Sequence, residues 1–223
     1  MIFLSGLPRT GSTLLTSILT QNPNIHAEGN SAVCQMMWDM QISCQNSEQL
    51  MANRRYWDED AFVSAIPKIY YRDCKRKIIV DKCRSWTLPP HLEMIRKYIT
   101  KNPKIIVMER PINEIVDSFL LLNKNVNNKK KLFDKEKLMV EGSEPIMRSL
   151  AGVNYAKANN NGEFLFVEYE DLVSLPEKII SNIYSFCGWA KYKHNFDEIE
   201  TYFKEDDIFY GVSSMHKIAG AIA

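Results

Sequence analysis

Ile2 to Leu15 reads IFLSGLPRTGSTLL, a short apolar run, a turn bracketed by two glycines, and then at once a helical pattern. Gly6 and Gly11 have the spacing of the phosphate-binding loop GxxxxGK[ST], but Ser12 stands where that motif carries its lysine. A helix starting at Ser12 or Thr13 aims its first N–H groups and the positive end of its dipole into the turn. Gly11, Ser12 and Thr13 therefore form an anion cradle, with the two hydroxyls as further donors. The charge that the missing lysine would bring is expected from Arg9, whose planar fork spans two oxygens at once. A tight strand-to-helix turn that needs glycine only for steric reasons is the alternative, and the strand–turn–helix context weighs against it.

Outward from this stretch, short apolar runs alternate with helical patterns to the end of the chain. Strands are expected at Met1 to Ser5, Lys77 to Val80, Lys104 to Met108 and Glu163 to Val167, all rich in Ile, Val, Leu and Phe. Helices are expected from Ser12 or Thr13 to about Thr20, over His91 to Ile99, from Pro111, and from Pro176. In the last of these Ile179, Ile180, Ile183, Tyr184 and Cys187 recur at helical spacing, and Gly188 stands where a C-terminal cap belongs. The pattern is that of βαβ units: an α/β protein with three α/β/α layers around a central, mainly parallel sheet, one domain over residues 1–223. Residues 123–143, with the run NKNVNNKKK, read as a mobile surface insertion whose lysines either fold over a bound anion or stay solvated. Between Ala32 and Ile66, Met36, Met37, Trp38, Met40, Tyr56 and Trp57 line a pocket or fill plain core. Phe196 to Ala223 shows no clear periodicity.

Lys plus Arg number 28 against 27 Asp plus Glu, a formal charge of +1. Such a balance gives no global attraction for nucleic acid or an anionic membrane, so an anion site must be local. The five cysteines are odd in number and scattered without a CxxC, which argues against a disulfide framework or a zinc site and for a reducing, cytoplasmic setting. The apolar stretch Ile2 to Leu4 is too short for a signal peptide or a membrane span, which need about 7 and about 18 apolar residues.

A second anion site is expected in KIIVMERPINEIVDSF, Lys104 to Phe119. Arg110 sits just beyond the carboxyl end of a buried strand, where ligands collect in open α/β sheets. Ser118 follows about two helical turns later and can share Arg110's face.

Pro8-Arg9-Thr10-Gly11-Ser12-Thr13 resembles, at every position, the 5'-phosphosulfate loop of the sulfotransferase superfamily, in the arginine form of tyrosylprotein sulfotransferases and microbial relatives. The resemblance implies a P-loop NTPase-like sulfotransferase fold. It also implies transfer of a sulfuryl group from 3'-phosphoadenosine 5'-phosphosulfate (PAPS) to a hydroxyl or amine, releasing adenosine 3',5'-bisphosphate (PAP). By the same resemblance Arg9, Thr10, Gly11, Ser12 and Thr13 hold the 5' end of the donor, and Arg110 and Ser118 its 3'-phosphate. A third match, FLFVEYEDLVSLPEKIISNIYSFCGW from Phe164, adds Tyr169 near the 3'-phosphate, or leaves Tyr169 and Asp171 with structural roles. Lys82, in a setting similar to the family's Asn-Lys-Asp but preceded by Asp81, would assist the leaving group together with Arg9. Glu28 or His26 would take the acceptor's proton, His26 because its ordinary pKa lies near neutrality. Lys217, with Ser213 and Ser214 nearby, would close over the donor. His91, His194 and His216 are expected to be ordinary surface or core residues. No metal is implied, and the acceptor is a small molecule, glycan or peptide. Two other classes stay open: a P-loop kinase with Asp81 as a Walker B-like aspartate, and a non-catalytic nucleotide-binding protein. The absent loop lysine counts against the kinase.

Overall fold

The computed structural model describes residues 1–55, 58–125, 132–200 and 205–210. Among them, strands β1 (Ile2–Gly6), β2 (Ile25–Asn30), β3 (Ile78–Lys82), β4 (Ile105–Glu109) and β5 (Phe164–Glu168) pair in the order β2-β3-β1-β4-β5, every pairing parallel. Parallel neighbours cannot be joined by hairpins, so helices carry the chain back. Helix α1 (Ser12–Thr20) joins β1 to β2, while α2 (Val33–Gln45), α3 (Glu48–Ala52) and α4 (Asp58–Tyr70) lie between β2 and β3. A turn of 3-10 helix (Arg84–Thr87) and α5 (Pro89–Tyr98) lead to β4. Helices α6 (Ile112–Leu122), α7 (Lys135–Leu138) and α8 (Met147–Ala158) lead to β5, and α9 (Tyr169–Ser174) and α10 (Pro176–Cys187) follow it.

Strand alternation builds the layers. Phe3, Ile105 and Val107 face a core with Trp86, Leu92, Ile95, Ile115 and Phe119, whereas Leu4, Ile106 and Met108 face a second core with Leu15, Ile18, Leu19, Ile180 and Ile183. Both faces of the sheet are thus covered, and each such side chain contributes on the order of 1.5–3 kcal/mol. The four expected strands and the main helices form within a residue or two of their expected places, and Gly188, at φ 71°, ends α10 in the left-handed region. Strand β1 sits between β3 and β4, and the chain crosses it to pass from one half of the sheet to the other. That reversal opens a crevice at the carboxyl ends of β1, β3 and β4.

One region differs from expectation. Strand β2 is an edge strand whose sequence IHAEGN alternates buried with exposed residues; its Glu, Gly and Asn disguise a strand that pairs on one side only. The described parts of segment 123–143 are mostly exposed and are tied to the body at a few points. The Asn123 carboxamide accepts from the N–H groups of Leu132 and Phe133 at 3.0 and 2.9 Å, Phe133 stacks on Phe119, and Leu138 is buried. Residues 126–131 of that segment lie outside the described residues. In α2, Met37 is core and Trp38 packs against it, while Met36 and Met40 are exposed; Tyr56 and Trp57 lie outside the described residues. No described helix is long and apolar enough to cross a membrane.

Candidate active site

The loop after β1 closes on itself. Leu7 N–H donates to the Met108 carbonyl at 2.9 Å, and the fully buried Thr10 hydroxyl donates to the Leu7 carbonyl at 2.7 Å. Thr10 therefore holds the turn together from inside. Arg9 and Gly11 both take positive φ, 59° and 76°. Such left-handed steps turn successive N–H groups toward one concavity, a nest suited to an anion. Gly11 has no substitute, since a Cβ there would stand 2.6 Å from the Tyr169 ring. Ser12 and Thr13 begin α1 half-exposed, with their N–H groups at its positive end.

At the end of β4 the expected 3' residues meet the loop. The Arg9 Nε–H donates to Ser118 Oγ at 3.0 Å, and an Arg110 Nη1–H donates to the Arg9 carbonyl at 3.3 Å. The Arg110 guanidinium lies 4.5 Å from the centre of the Tyr169 ring and donates to Glu114 at 2.9 Å. Arg9, Gly11, Arg110, Ser118 and Tyr169 are thus one cluster assembled from β1, β4, α6 and α9. Burial, and then the charge of Arg110, push the Arg9 pKa down. The pairing differs in one respect from a division of labour with Arg9 at the 5' end and Ser118 at the 3' end: in this structure the Arg9 fork is turned toward Ser118.

Lys82, the last residue of β3, approaches the same loop from the other side, its Nζ donating to Thr13 Oγ1 at 3.4 Å. Its side chain is 6% exposed, and desolvation brings its pKa down to about 8, against the opposing pull of Glu205 and with the help of Arg84. Glu205 was not foreseen. One of its oxygens stands 4.0 Å from Lys82 Nζ and accepts the Asn30 N–H at 2.9 Å, and it packs where a Cβ on Gly29 would have to be. Asp207 acts electrostatically on Arg9. Two carboxylates from the chain's C-terminal part are therefore set against the two cations of the loop, a pairing that no local pattern announces.

His26 and Glu28 lie on β2 and face each other, Nε2 to Oε1 at 3.5 Å, with side chains 19% and 60% exposed. The strand is irregular at this point: Ala27 pairs with Val80 and Asn30 with Lys82, so Glu28 and Gly29 together oppose Asp81. That is a β-bulge. Asp81 is wholly buried, and its carboxylate accepts from Ser31 Oγ and Tyr71 Oη, both at 2.7 Å, and from Trp86 Nε1 at 2.6 Å. All of its strong acceptor positions point into the protein, away from the anion loop. His91 and His194 are buried, His91 against the Ser85 carbonyl and His194 against Tyr184, as core residues. Lys217, with Ser213, Ser214 and His216, lies outside the described residues.

A model of the sulfotransferase family matches residues 2–193, which takes in all five strands and helices α1 to α10. The chain belongs to the sulfotransferase family. Solved sulfotransferases share its fold. The sulfotransferase domain of the Synechococcus PCC 7002 olefin synthase is 18% identical, with 100% of this chain and 90% of that one covered at a TM-score of 0.62. A sulfotransferase from Alicyclobacillus acidocaldarius is also 18% identical, with 93% and 87% covered at 0.58. A mouse sulfotransferase solved with PAP is 17% identical, with 86% and 59% covered at 0.50. No curated protein matches the sequence.

Proposed function

We propose that this sulfotransferase takes its sulfuryl group from PAPS and passes it to a hydroxyl or amine of a small molecule, glycan or peptide. The observation that carries the reading is the convergence of the αL loop at Gly11 with Arg9, Arg110, Ser118 and Tyr169 at one end of the cradle and Lys82 beside Thr13 at the other. A nucleotide with phosphates at both ends needs two such sites, and PAPS is one. In the proposed assignment Arg110, Ser118 and Tyr169 hold the 3'-phosphate, the N–H groups and hydroxyls of Ser12 and Thr13 hold the 5' end with Gly11 and Thr10 shaping the turn, and Arg9 spans the cluster.

In the reaction the bond from sulfur to the bridging oxygen of PAPS breaks, a bond from sulfur to the acceptor atom forms, and the acceptor's proton passes to the protein. By analogy with phosphoryl transfer the transition state is loose, so negative charge grows on the departing phosphate oxygen. Lys82 is the cation for that oxygen, and its desolvated setting makes its charge worth more than in water. Glu28 and His26 share one basic site at 3.5 Å, and the proton goes to that pair. No metal takes part. The kinase reading loses support because Asp81, its candidate magnesium ligand, is committed to three donors. The free state of all five cysteines suits a cytoplasmic setting. Lys217 is kept as a late contact to the donor on resemblance alone.

Thermal unfolding tests this. PAP without magnesium should raise the melting temperature, and Arg110→Ala should remove the shift; equal stabilisation by ATP with magnesium would overturn the reading. A screen with radiolabelled PAPS against a broad acceptor panel separates an enzyme from a binding protein, which would take up the donor and transfer to nothing.

A further inference from the structure

Asp81 stands directly before the proposed leaving-group cation, yet its carboxylate is turned away from the donor loop and spends all three of its contacts on uncharged donors. A buried carboxylate with no cation is costly, and burial does push its pKa up while the three hydrogen bonds oppose that shift. What the contacts have in common is the bulge. Ser31 follows β2 immediately and is gripped twice, by Asp81 through its hydroxyl and by the Lys82 carbonyl through its N–H at 2.9 Å. Tyr71, just after α4, donates to the same Asp81 oxygen and sets its ring edge-on to His26, centroids 5.5 Å apart. Trp86 anchors the other oxygen and meets Phe3 of β1 edge-on, centroids 5.0 Å apart, which ties the carboxylate to the central strand.

The two residues opposite Asp81 are Glu28 and Gly29, the bulged pair itself. One buried carboxylate thus holds the chain after the bulge through Ser31 and, through the Tyr71 ring, touches His26 on the strand before it. Bulges re-aim side chains, and an edge strand with a partner on one side only has little else to fix that aim. We propose that Asp81 is a positioning residue: through Ser31 and Tyr71 it sets the direction in which Glu28 and His26 face the acceptor. This inference rests on the sulfuryl-transfer reading of the site. Both carboxyl oxygens can accept, whereas an amide would present an NH2 group to one of the three donors, which gives the position a reason to be Asp and not Asn.

The test compares Asp81→Asn and Tyr71→Phe with the wild-type chain. The amide in Asp81→Asn keeps the shape and one acceptor but must turn an NH2 group toward Trp86 or toward the two hydroxyls. Three quantities are read: PAP affinity by calorimetry, the NMR shifts of the His26 ring protons (assigned with His26→Gln), and turnover with an acceptor found by the labelled-sulfate screen. Expected are unchanged PAP affinity, displaced His26 resonances in both variants, and a kcat lowered on the order of 10- to 100-fold in Asp81→Asn. Unmoved His26 resonances in folded variants would overturn the proposal, as would a loss of PAP affinity in proportion to the loss of kcat. Should Asp81→Asn fail to fold, Tyr71→Phe decides alone, since it removes one hydroxyl and leaves the ring. Failure of the wild-type chain to bind PAP would instead refute the donor reading, so the two failures are distinct.

Discussion

The proposed donor side of the crevice and its proposed acceptor side are built by different means. On the donor side, Arg9, Gly11, Ser12 and Thr13 share one strand–loop–helix turn, and Arg110 and Ser118 share another. Each pair of elements is contiguous in sequence, and its geometry follows from a strand end meeting a helix start. On the acceptor side, Ser31, Tyr71, Asp81 and Trp86 come from four separate segments and meet only because an edge strand bulges beside β3. Dipoles and backbone N–H groups do much of the work in the first region, and side-chain hydrogen bonds do it in the second. The contrast concerns geometry: the turn of the cradle is set by backbone and stays in place when a charged side chain is lost, whereas on the other side the hydrogen bonds converge on one carboxylate.

The largest test of that contrast falls where the two regions meet. Lys82→Ala removes the cation beside the departing oxygen, and kcat should drop about 10²- to 10³-fold, the cost of deleting one charge-stabilising group in a closed site. PAP affinity should fall much less, because Arg9 and Arg110 remain. The same lysine makes a pH prediction. With its pKa lowered to about 8, Lys82 carries its charge below that value and loses it above. An anionic nucleotide binds the charged form better, so the PAP dissociation constant should rise above pH 8, by no more than the factor that Lys82→Ala costs. Lys82→Arg, whose charge does not titrate in this range, should flatten that rise; an equally steep rise in the variant would assign it to another group.

Arg110→Ala tests the donor side by itself. Arg110 is a fork stacked on Tyr169 and hydrogen-bonded to the loop carbonyl of Arg9, so its loss should weaken PAP binding by about 100-fold, and a comparable effect of Ser118→Ala would mean that the hydroxyl matters as much as the charge. Retained affinity in Arg110→Ala would break the comparison, because the cradle would then suffice without its cluster.

The contrast also explains what could be read from the sequence. The loop after β1, the Arg110 helix start and α10 with its Gly188 cap were legible because turns, caps and buried parallel strands write themselves into neighbouring residues. Strand β2 was not, since a half-exposed edge strand can carry Glu, Gly and Asn, and no pattern of two marks its bulge. Asp81 looked like a Walker B residue from its place at the end of IIVD. Its true partners lie up to fifty positions away in sequence, as Ser31 does, and only the fold brings them to it. The proposed roles of His26 and Glu28 rest on resemblance, and the strand that the two share is not legible in the sequence.

Glu205 gives the smallest expected effect and the most direct question about how the two sides communicate. Its carboxylate is 13% exposed and lies 4.0 Å from Lys82, close to where a highly charged donor has to come, and like charges in such a setting repel. It also holds the Lys82 pKa up, so its removal lowers that pKa further and the comparison belongs well below pH 8, where the lysine loses least of its charge. Under those conditions Glu205→Gln preserves the acceptor for the Asn30 N–H and removes only the charge. PAP should then bind more tightly, by roughly three- to tenfold, a gain from deleting an ionic contact that a purely structural role would turn into a loss. Weaker binding in the variant would mean that the carboxylate stays in place beside the donor and orders Lys82 for it, and that the C-terminal part of the chain belongs to the donor side of the site and does not compete with it.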